Sequence, residues 1–195
     1  MRAAAEVFAE EGFVSATITS ISRKAGVSNG ALHFHFENKH NLGQAVEAEF
    51  VDTIARIIRE ADERPGNALQ RLIDAAHVLM RSIEDDMVVR AAFQMVNTAP
   101  RRERGLDQQG MWHRWIDKML HTAQREGALA EGVSPTQASI AIVAATVGLA
   151  VLGIRDPKWV SRHTLSQFWE LMLPQLTPSD RMSELVPRGT DSGRS

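Results

Sequence analysis

The sequence predicts an all-α protein in which a small N-terminal three-helix unit is joined by one long helix to a larger helical bundle. Apolar residues recur with helical spacing along almost the whole 195-residue chain. No stretch alternates apolar and polar residues over the length of a strand, and no Asn-Gly turn lies between β-rich runs. The predicted helices are short before about residue 40 and long after it.

Residues that end helices divide this periodic pattern into elements. Gly12 and Gly26 suit helix ends because glycine adopts positive φ without strain. Prolines, which are poorly tolerated inside helices, mark later breaks at Pro65, Pro100, Pro135, Pro157 and Pro174. The predicted helices lie near 1–11, 18–24, 29–35, 39–62, 66–84, 86–98, 107–127, 134–153 and 158–173.

Residues 17–36 carry the most informative pattern. Thr17 suits a helix start because its hydroxyl can accept a hydrogen bond from a first-turn N–H. Gly26 ends that helix, and Ser28 caps a second, very short one. Two short helices joined by a tight turn form a helix-turn-helix, whose second helix enters the major groove of DNA. The residues left on this second helix to face DNA are Asn29, Gly30, His33 and His35.

The first 42 residues resemble the signature of TetR-type repressors. The matching residues are Phe8, Gly12-Phe13, Thr17-Ile-Thr-Ser-Ile21, Ala25-Gly-Val-Ser-Asn-Gly-Ala-Leu-His-Phe-His-Phe36, Lys39 and Leu42. The Gly-Ala-Leu-x-Phe-His-Phe version is most similar to the γ-butyrolactone receptors of actinobacteria. The resemblance implies a TetR-like homodimer that binds a palindromic double-stranded DNA operator. A small-molecule inducer, such as a γ-butyrolactone or a related lactone or furan, would then release the operator.

The chain departs from this signature at its charged positions. Asn29 and His33 stand where the family often has Lys and Tyr. Asn29 can still read an adenine edge, and His33 can still donate to a phosphate. Lys39 matches a phosphate-contacting lysine of the family, and Thr17 and Ser28 complete the expected DNA-binding set. Residues 1–48 contain four Lys or Arg and five Glu, so the cations must be gathered on one face.

The resemblance implies three regions. Residues 1–42 form the helix-turn-helix DNA-binding domain, with a first helix that looks truncated, and residues 43–176 form the ligand-binding and dimerisation domain. The tail at 177–195 is polar and rich in Pro, Ser and Gly, which predicts disorder. Leu185-Val-Pro-Arg-Gly189 matches a thrombin cleavage site, and two origins stay open, a vector-derived linker or a native sequence.

A tryptophan in the C-terminal domain is the main candidate for ligand binding. Trp112 precedes Ala123 by eleven and Gly127 by fifteen residues, a spacing that the resemblance associates with a pocket tryptophan. Further candidates are Trp115, one helical turn later, and the polar residues Gln94 and Thr146 in otherwise apolar helices. The alternative for the tryptophans is core packing, and for the polar pair a hydrogen bond to a backbone carbonyl.

The last two predicted helices are expected to pair two subunits, as the resemblance implies. An apolar stripe on the final helix supplies the expected interface residues Leu165, Phe168, Trp169 and Met172. The preceding segment, 138–154, carries no charge, but it is short for a membrane span and diluted by small residues. We therefore expect a buried helix and no membrane partner.

Composition and residue spacing limit which other classes of protein the chain could belong to. The net charge is −2 and there is no cysteine, which excludes disulfides and thiolate metal sites and fits a cytoplasmic protein. His33, His35 and His40 lack the spacing of a metal site, and we expect neither a metal nor a cofactor. The rivals are a helical-bundle enzyme and a protein-interaction module. A di-iron enzyme needs paired Glu-x-x-His motifs, and the chain has one, Glu37 to His40, so we expect no enzyme.

Overall fold

The computed structural model describes residues 1–98 and 108–190, and the regular structure in this part of the chain is entirely helical. The predicted all-α fold class is therefore confirmed. The α-helices are α1 (Arg2–Glu11), α2 (Ile18–Ala25), α3 (Asn29–His35), α4 (Lys39–Glu63), α5 (Ala68–Asp85), α6 (Met87–Thr98), α7 (Gln108–Arg125), α8 (Pro135–Gly153) and α9 (Arg162–Leu176). Short 3₁₀ helices follow α8 at Pro157–Val160 and α9 at Ser179–Glu184.

The chain folds into two compact units. The first unit consists of Met1–Thr53 together with α6, and the second begins at Ile54 and contains the rest of α4, most of α5, and everything from α7 onward. The helix α4 is thus shared between them. The inclusion of α6 in the first unit could not be inferred from periodicity, because its partner α1 lies more than 75 residues earlier in the chain.

The first unit is built around α1, which packs against α2 and α6. Its buried face carries Ala4, Val7 and Phe8, and the Phe8 ring lies 5.2 Å from that of Phe13. Small residues on α1 allow the neighbouring helices to approach closely. The ring of Phe13 extends this apolar core into the loop between α1 and α2.

The second unit is centred on α5 and on the packing of α7 against α8. The side chains that α7 buries are Trp112, Trp115, Ile116, Met119, Leu120 and Ala123. In contrast, α8 is apolar around its whole circumference and buries about a third of its length. It is the one helix of the described chain long and apolar enough to cross a membrane, a test that core helices of soluble proteins also pass.

The described part of the tail is ordered, although its composition predicted disorder. Residues 177–190 form the 3₁₀ helix and a segment with defined partners, among them a hydrogen bond of 2.7 Å from the Val186 N–H to Gln70 Oε1. The tail contributes mainly backbone groups to these bonds, and their side-chain partners lie on α5 and α9. Residues 191–195 lie outside the described chain.

Gly43 is the tightest position in the first unit, and we predict that Gly43→Ala destabilises it. A Cβ there would lie 2.5 Å from Phe13 Cε2 and 3.4 Å from Met95 Cε, so the Phe13 ring would have to move off its packing partners. We expect a loss of about 1–3 kcal/mol in the free energy of unfolding, measured by chemical denaturation.

Gly30→Ala is the matched control, since Gly30 is also helical and its Cβ would meet no atom closer than Ser28 Oγ at 3.9 Å. Its unfolding free energy should stay the same or rise slightly, because alanine favours helix. Equal losses in the two variants would show that the contact with Phe13 is not the cause.

Candidate functional site

The two helix caps predicted around the helix-turn-helix are present. Thr17 Oγ1 accepts a hydrogen bond of 3.0 Å from the Ser20 N–H, while Ser20 Oγ accepts one of 3.1 Å from the Thr17 N–H. Ser28 Oγ accepts from the Ala31 N–H at 3.1 Å. Gly26, between the two helices, has the left-handed conformation expected of it, with φ 69°. The caps fix where α2 and α3 begin, and each hydroxyl oxygen is engaged in its own helix.

Asn29 joins the two helices. The Ser22 hydroxyl donates to Asn29 Oδ1, and Asn29 Nδ2 donates to Thr19 Oγ1 at 3.2 Å. Both ends of the amide are therefore used between α2 and α3. Bidentate reading of an adenine needs the same acceptor and donor, so this geometry favours a positioning role for Asn29 over the predicted base contact.

Lys39 does not have the geometry predicted for it. Its ammonium group donates to three backbone carbonyls, those of Phe13 at 2.8 Å, Val14 at 2.9 Å and Ala16 at 2.8 Å. The Lys39 Nζ also lies 5.0 Å from the centre of the Phe13 ring. A lysine has three donors, and all three are used here. The phosphate contact implied by the resemblance is therefore corrected to a structural bond that closes the loop after α1.

The remaining predicted DNA-facing residues lie on the exposed surface of α3, which buries none of its residues. His33 Nδ1 donates to the Glu37 carbonyl at 3.3 Å, which leaves Nε2 pointing away from that bond. His35 contacts the edge of the Phe34 ring, with ring centres 5.3 Å apart. Gly30 has open space around its α-carbon, so the backbone there is accessible to a partner.

Sequence reasoning missed Phe34 as a candidate. Its side chain is 87% exposed, and Val14, in the loop after α1, is 90% exposed. A signal existed, because residues two apart on a helix lie on nearly opposite sides and Phe34 and Phe36 cannot both face inward. Phe36 is half-buried, which leaves Phe34 outside. An exposed aromatic ring on a helix that enters the major groove can contact the methyl group of thymine.

The acidic residues of the first unit are partly neutralised within it. Lys24 Nζ lies 2.6 Å from Glu10 Oε1 and 3.4 Å from Glu6 Oε2. The hydrogen bond to Glu10 is the largest cause that raises the pKa of Lys24 above its ordinary value. Lys24 thus links α2 to α1, whereas Arg23 at the end of α2 is exposed.

The candidate ligand residues Trp112 and Trp115 are buried and stacked, with ring centres 5.3 Å apart. The Trp115 N–H donates to Asp62 Oδ1 at 3.0 Å, and Lys118 donates to Asp62 Oδ2 at 2.9 Å. Burial opposes ionisation of Asp62, but the bonds from Lys118 and Trp115 outweigh it and hold the pKa of Asp62 below its ordinary value. Trp115 therefore has a satisfied structural role.

Trp112 differs from its neighbour because its indole N–H is buried and has no hydrogen-bond partner among residues 1–98 and 108–190. Its side chain is 3% exposed. Leaving such a donor unsatisfied costs about 1–3 kcal/mol. Thr146 has the backbone alternative, donating to the Ile142 carbonyl at 2.9 Å and lying 3.2 Å from that of Val143. Gln94 belongs to α6 in the first unit, whereas Trp112 and Thr146 belong to the second.

Two of the four predicted interface residues are wrong for that role. Leu165 and Trp169 are 0% exposed within a single chain, so they belong to the core of the second unit. Phe168 and Met172 are half-buried. Leu171, on the same helix, is 74% exposed. The exposed apolar side chains of α8 are Ile140, Val151 and Leu152.

Comparison with known proteins agrees with this architecture. Residues 1–46 match the family model described as bacterial regulatory proteins, tetR family. The A-factor receptor protein of Streptomyces griseus is 28% identical over 96% of this chain and 66% of its own length. The repressor BepR of Brucella suis is 30% identical over 81% of this chain and 77% of its own length.

Solved structures share the fold over nearly the whole chain. CprB from Streptomyces coelicolor, in complex with its biological operator sequence, has a TM-score of 0.78 and 25% identity. The match covers 93% of this chain and 88% of that one.

The geometry of Lys39 predicts that Lys39→Met costs stability rather than a phosphate contact. The variant loses three charge-assisted hydrogen bonds, and we expect the free energy of unfolding to fall by about 2 kcal/mol or more. Chemical denaturation measures this loss.

Arg23→Met is the control, since Arg23 is an exposed cation of the same unit. Its stability should be unchanged. If Lys39→Met unfolds like the unmodified chain and instead lowers the salt dependence of DNA binding by about one phosphate equivalent, then Lys39 contacts DNA after all.

Proposed function

Because this chain belongs to the tetR family of bacterial regulatory proteins, we propose that it is a ligand-responsive transcriptional repressor. It binds a palindromic operator as a dimer and leaves it when a small molecule binds in the second unit. Regulators of this family bind DNA operators as dimers and respond to small molecules. The observation that carries the proposal is α3, a capped helix of which no residue is fully buried in its own chain.

On this proposal, α3 reads DNA through shape and apolar contact more than through charge. Phe34 contacts a thymine methyl group in the major groove, and Gly30 lets the DNA backbone approach the helix closely. His35 donates to a phosphate, as do the hydroxyl groups of Thr17 and Ser28. His33 Nδ1 donates to the Glu37 carbonyl, so its Nε2 meets the DNA as an acceptor. Asn29 holds α3 at its fixed position on α2.

We propose that the dimer forms through α8 and α9. The exposed apolar residues of α8 form a common surface. Ile140 and Val151 are eleven residues apart and therefore lie on the same face of the helix. Leu171 adds an exposed apolar side chain from α9. Packing against a second copy of the chain removes these residues from water. The same packing explains why α8 is apolar around its whole circumference. The dimer then sets the two recognition helices about one turn of DNA apart, near 34 Å.

The ligand proposal rests on Trp112. Its unpartnered N–H can donate to the carbonyl or hydroxyl oxygen of a small molecule, while the stacked indole ring covers an apolar part of the same molecule. A γ-butyrolactone or a related lactone or furan offers both features. The similarity to the A-factor receptor protein and to the γ-butyrolactone receptor sequence pattern supports this ligand class. Trp115 supports the Trp112 ring through the stack.

The function predicts a specific DNA complex with two chains. DNA fragments from upstream of the gene that encodes the chain should contain a site that shifts in a gel at nanomolar protein, and footprinting should show two half-sites one turn apart. Leu171→Glu should remain folded but bind this DNA far more weakly, because a buried charge opposes the dimer.

Gln124→Glu places the same charge on the exposed surface of α7 and should bind like the unmodified chain. A single protected half-site, or a Leu171→Glu variant that stays dimeric in sedimentation, would contradict the proposed dimer. If the chain prefers no sequence among upstream fragments or random DNA, the proposal that it is a repressor is wrong.

Trp112→Phe should impair the ligand response alone. The variant keeps an aromatic ring and loses the N–H, so affinity for a γ-butyrolactone measured by calorimetry should fall about tenfold. Operator binding without ligand should be unchanged.

Trp115→Phe is the matched control, since it removes an indole N–H whose partner is Asp62. It should lower stability with little direct effect on the lactone. If Trp112→Phe binds the lactone as tightly as the unmodified chain, the indole N–H is not a ligand contact.

A further inference from the structure

One face of α5 holds the tail of the chain. Gln70, Asp74 and His77 are four and three residues apart, which places their side chains in one row along the helix. Asp74 and His77 are buried, although charged and polar side chains seldom are without partners. The segment Leu185–Thr190, called the latch below, lies along this row.

Each member of the row binds a different residue of the latch. Gln70 accepts from the Val186 N–H at 2.7 Å and donates to the Val186 carbonyl at 3.4 Å. The His77 Nε2–H donates to the Pro187 carbonyl at 2.8 Å. Asp74 accepts from the Thr190 N–H at 2.8 Å and from its hydroxyl at 2.6 Å. These bonds recognise mainly the backbone of an extended peptide.

A fourth side chain holds the latch from α9. Arg162 Nε donates to the Arg188 carbonyl at 2.9 Å, and Arg162 Nη2 donates to that of Gly189 at 3.3 Å. Gly189 has φ 77°, and a Cβ there would lie 3.1 Å from His77 Cδ2. The latch thus needs glycine at this position both for its backbone conformation and for the close approach of the imidazole ring.

We propose that this face of α5, with Arg162, is a peptide-binding groove filled by the chain's own latch, and that protonation of His77 releases the latch. The groove matches its occupant at five successive residues, from Val186 to Thr190. Gly189 and the Thr190 hydroxyl add the features of this match that depend on the sequence, and the match gives the segment that resembles a thrombin site a structural role.

Release follows from the burial of His77. Burial lowers the pKa of His77 below its ordinary value of 6.5. The hydrogen bond to the Pro187 carbonyl raises the pKa, but its effect is smaller than that of burial. The charged groups that face His77 are Arg162 from α9 and Asp74 and Arg81 from α5; both arginines lower its pKa and Asp74 raises it. A released latch exposes His77 to water, where it takes up a proton near pH 6.5. Docking is therefore complete above this pH and weakens by up to about tenfold per pH unit below it.

Cleavage by thrombin tests the proposal directly, because the protease must bind the segment around Arg188 in its active-site cleft. Leu185 and Gly189 are buried in the docked latch, so the docked segment cannot enter that cleft. In the full-length chain at pH 7.5, we expect cleavage after Arg188 to be at least tenfold slower than in a synthetic peptide of residues 185–195. Between pH 7.5 and 6.0 the ratio of chain to peptide cleavage should rise, by at most about fourfold. Mass spectrometry measures the loss of residues 189–195.

Two variants separate docking from its pH dependence. Gln70→Ala removes both bonds to Val186 and should speed cleavage at both pH values. His77→Gln keeps an N–H donor for the Pro187 carbonyl without a titrating group, so it should stay protected and lose the pH response. If thrombin cleaves the unmodified chain as fast as the peptide at pH 7.5, the latch is not held in a groove. If His77→Gln keeps the pH response, protonation of His77 does not release the latch.

Discussion

The structure of the DNA-binding unit depends on the ammonium group of Lys39 and the three carbonyls it binds. The loop after α1 has carbonyl groups without helical partners, and Phe13, Val14 and Ala16 present theirs to this one cation. The Phe13 ring under the cation fills the space beside Gly43, where a side chain would collide with it. The first turns of α4 are thereby fixed to the loop that leads into α2. Under the proposed function, ligand binding moves α4, which runs from the first unit into the second, and the recognition helix follows.

Most of the positive charge in residues 1–48 is engaged within the chain. Of the four Lys and Arg residues there, Lys39 binds carbonyls, Lys24 pairs with Glu10 and Arg2 pairs with Glu6. Under the proposed function, specific reading of DNA depends on the exposed residues of α3, which include Phe34 and the two histidines. This arrangement is consistent with a repressor that gains affinity by presenting two recognition helices at a fixed spacing rather than by a strongly basic surface.

The sequence predicted what depends on local spacing. Thr17, Gly26 and Ser28 act within a few residues of their own positions, so the caps and the turn could be derived without a structure. Lys39 could not be derived, because its three partners lie 23 to 26 residues away. Trp169 was wrongly assigned to the surface because α9 has apolar residues on both of its faces, and periodicity does not say which face the rest of the chain covers. The latch was missed for a related reason, since its partners on α5 are more than 100 residues away.

The central claim is that ligand binding in the second unit and operator binding in the first are coupled. Linkage requires that each ligand change the affinity for the other by the same factor. Calorimetric titration of a γ-butyrolactone into the chain, with and without saturating operator DNA, measures that factor. We expect the lactone to bind the operator-bound chain roughly 5- to 150-fold more weakly than the unbound chain. Equal affinities for the two would contradict the account, because a ligand that does not distinguish the two states cannot release the operator.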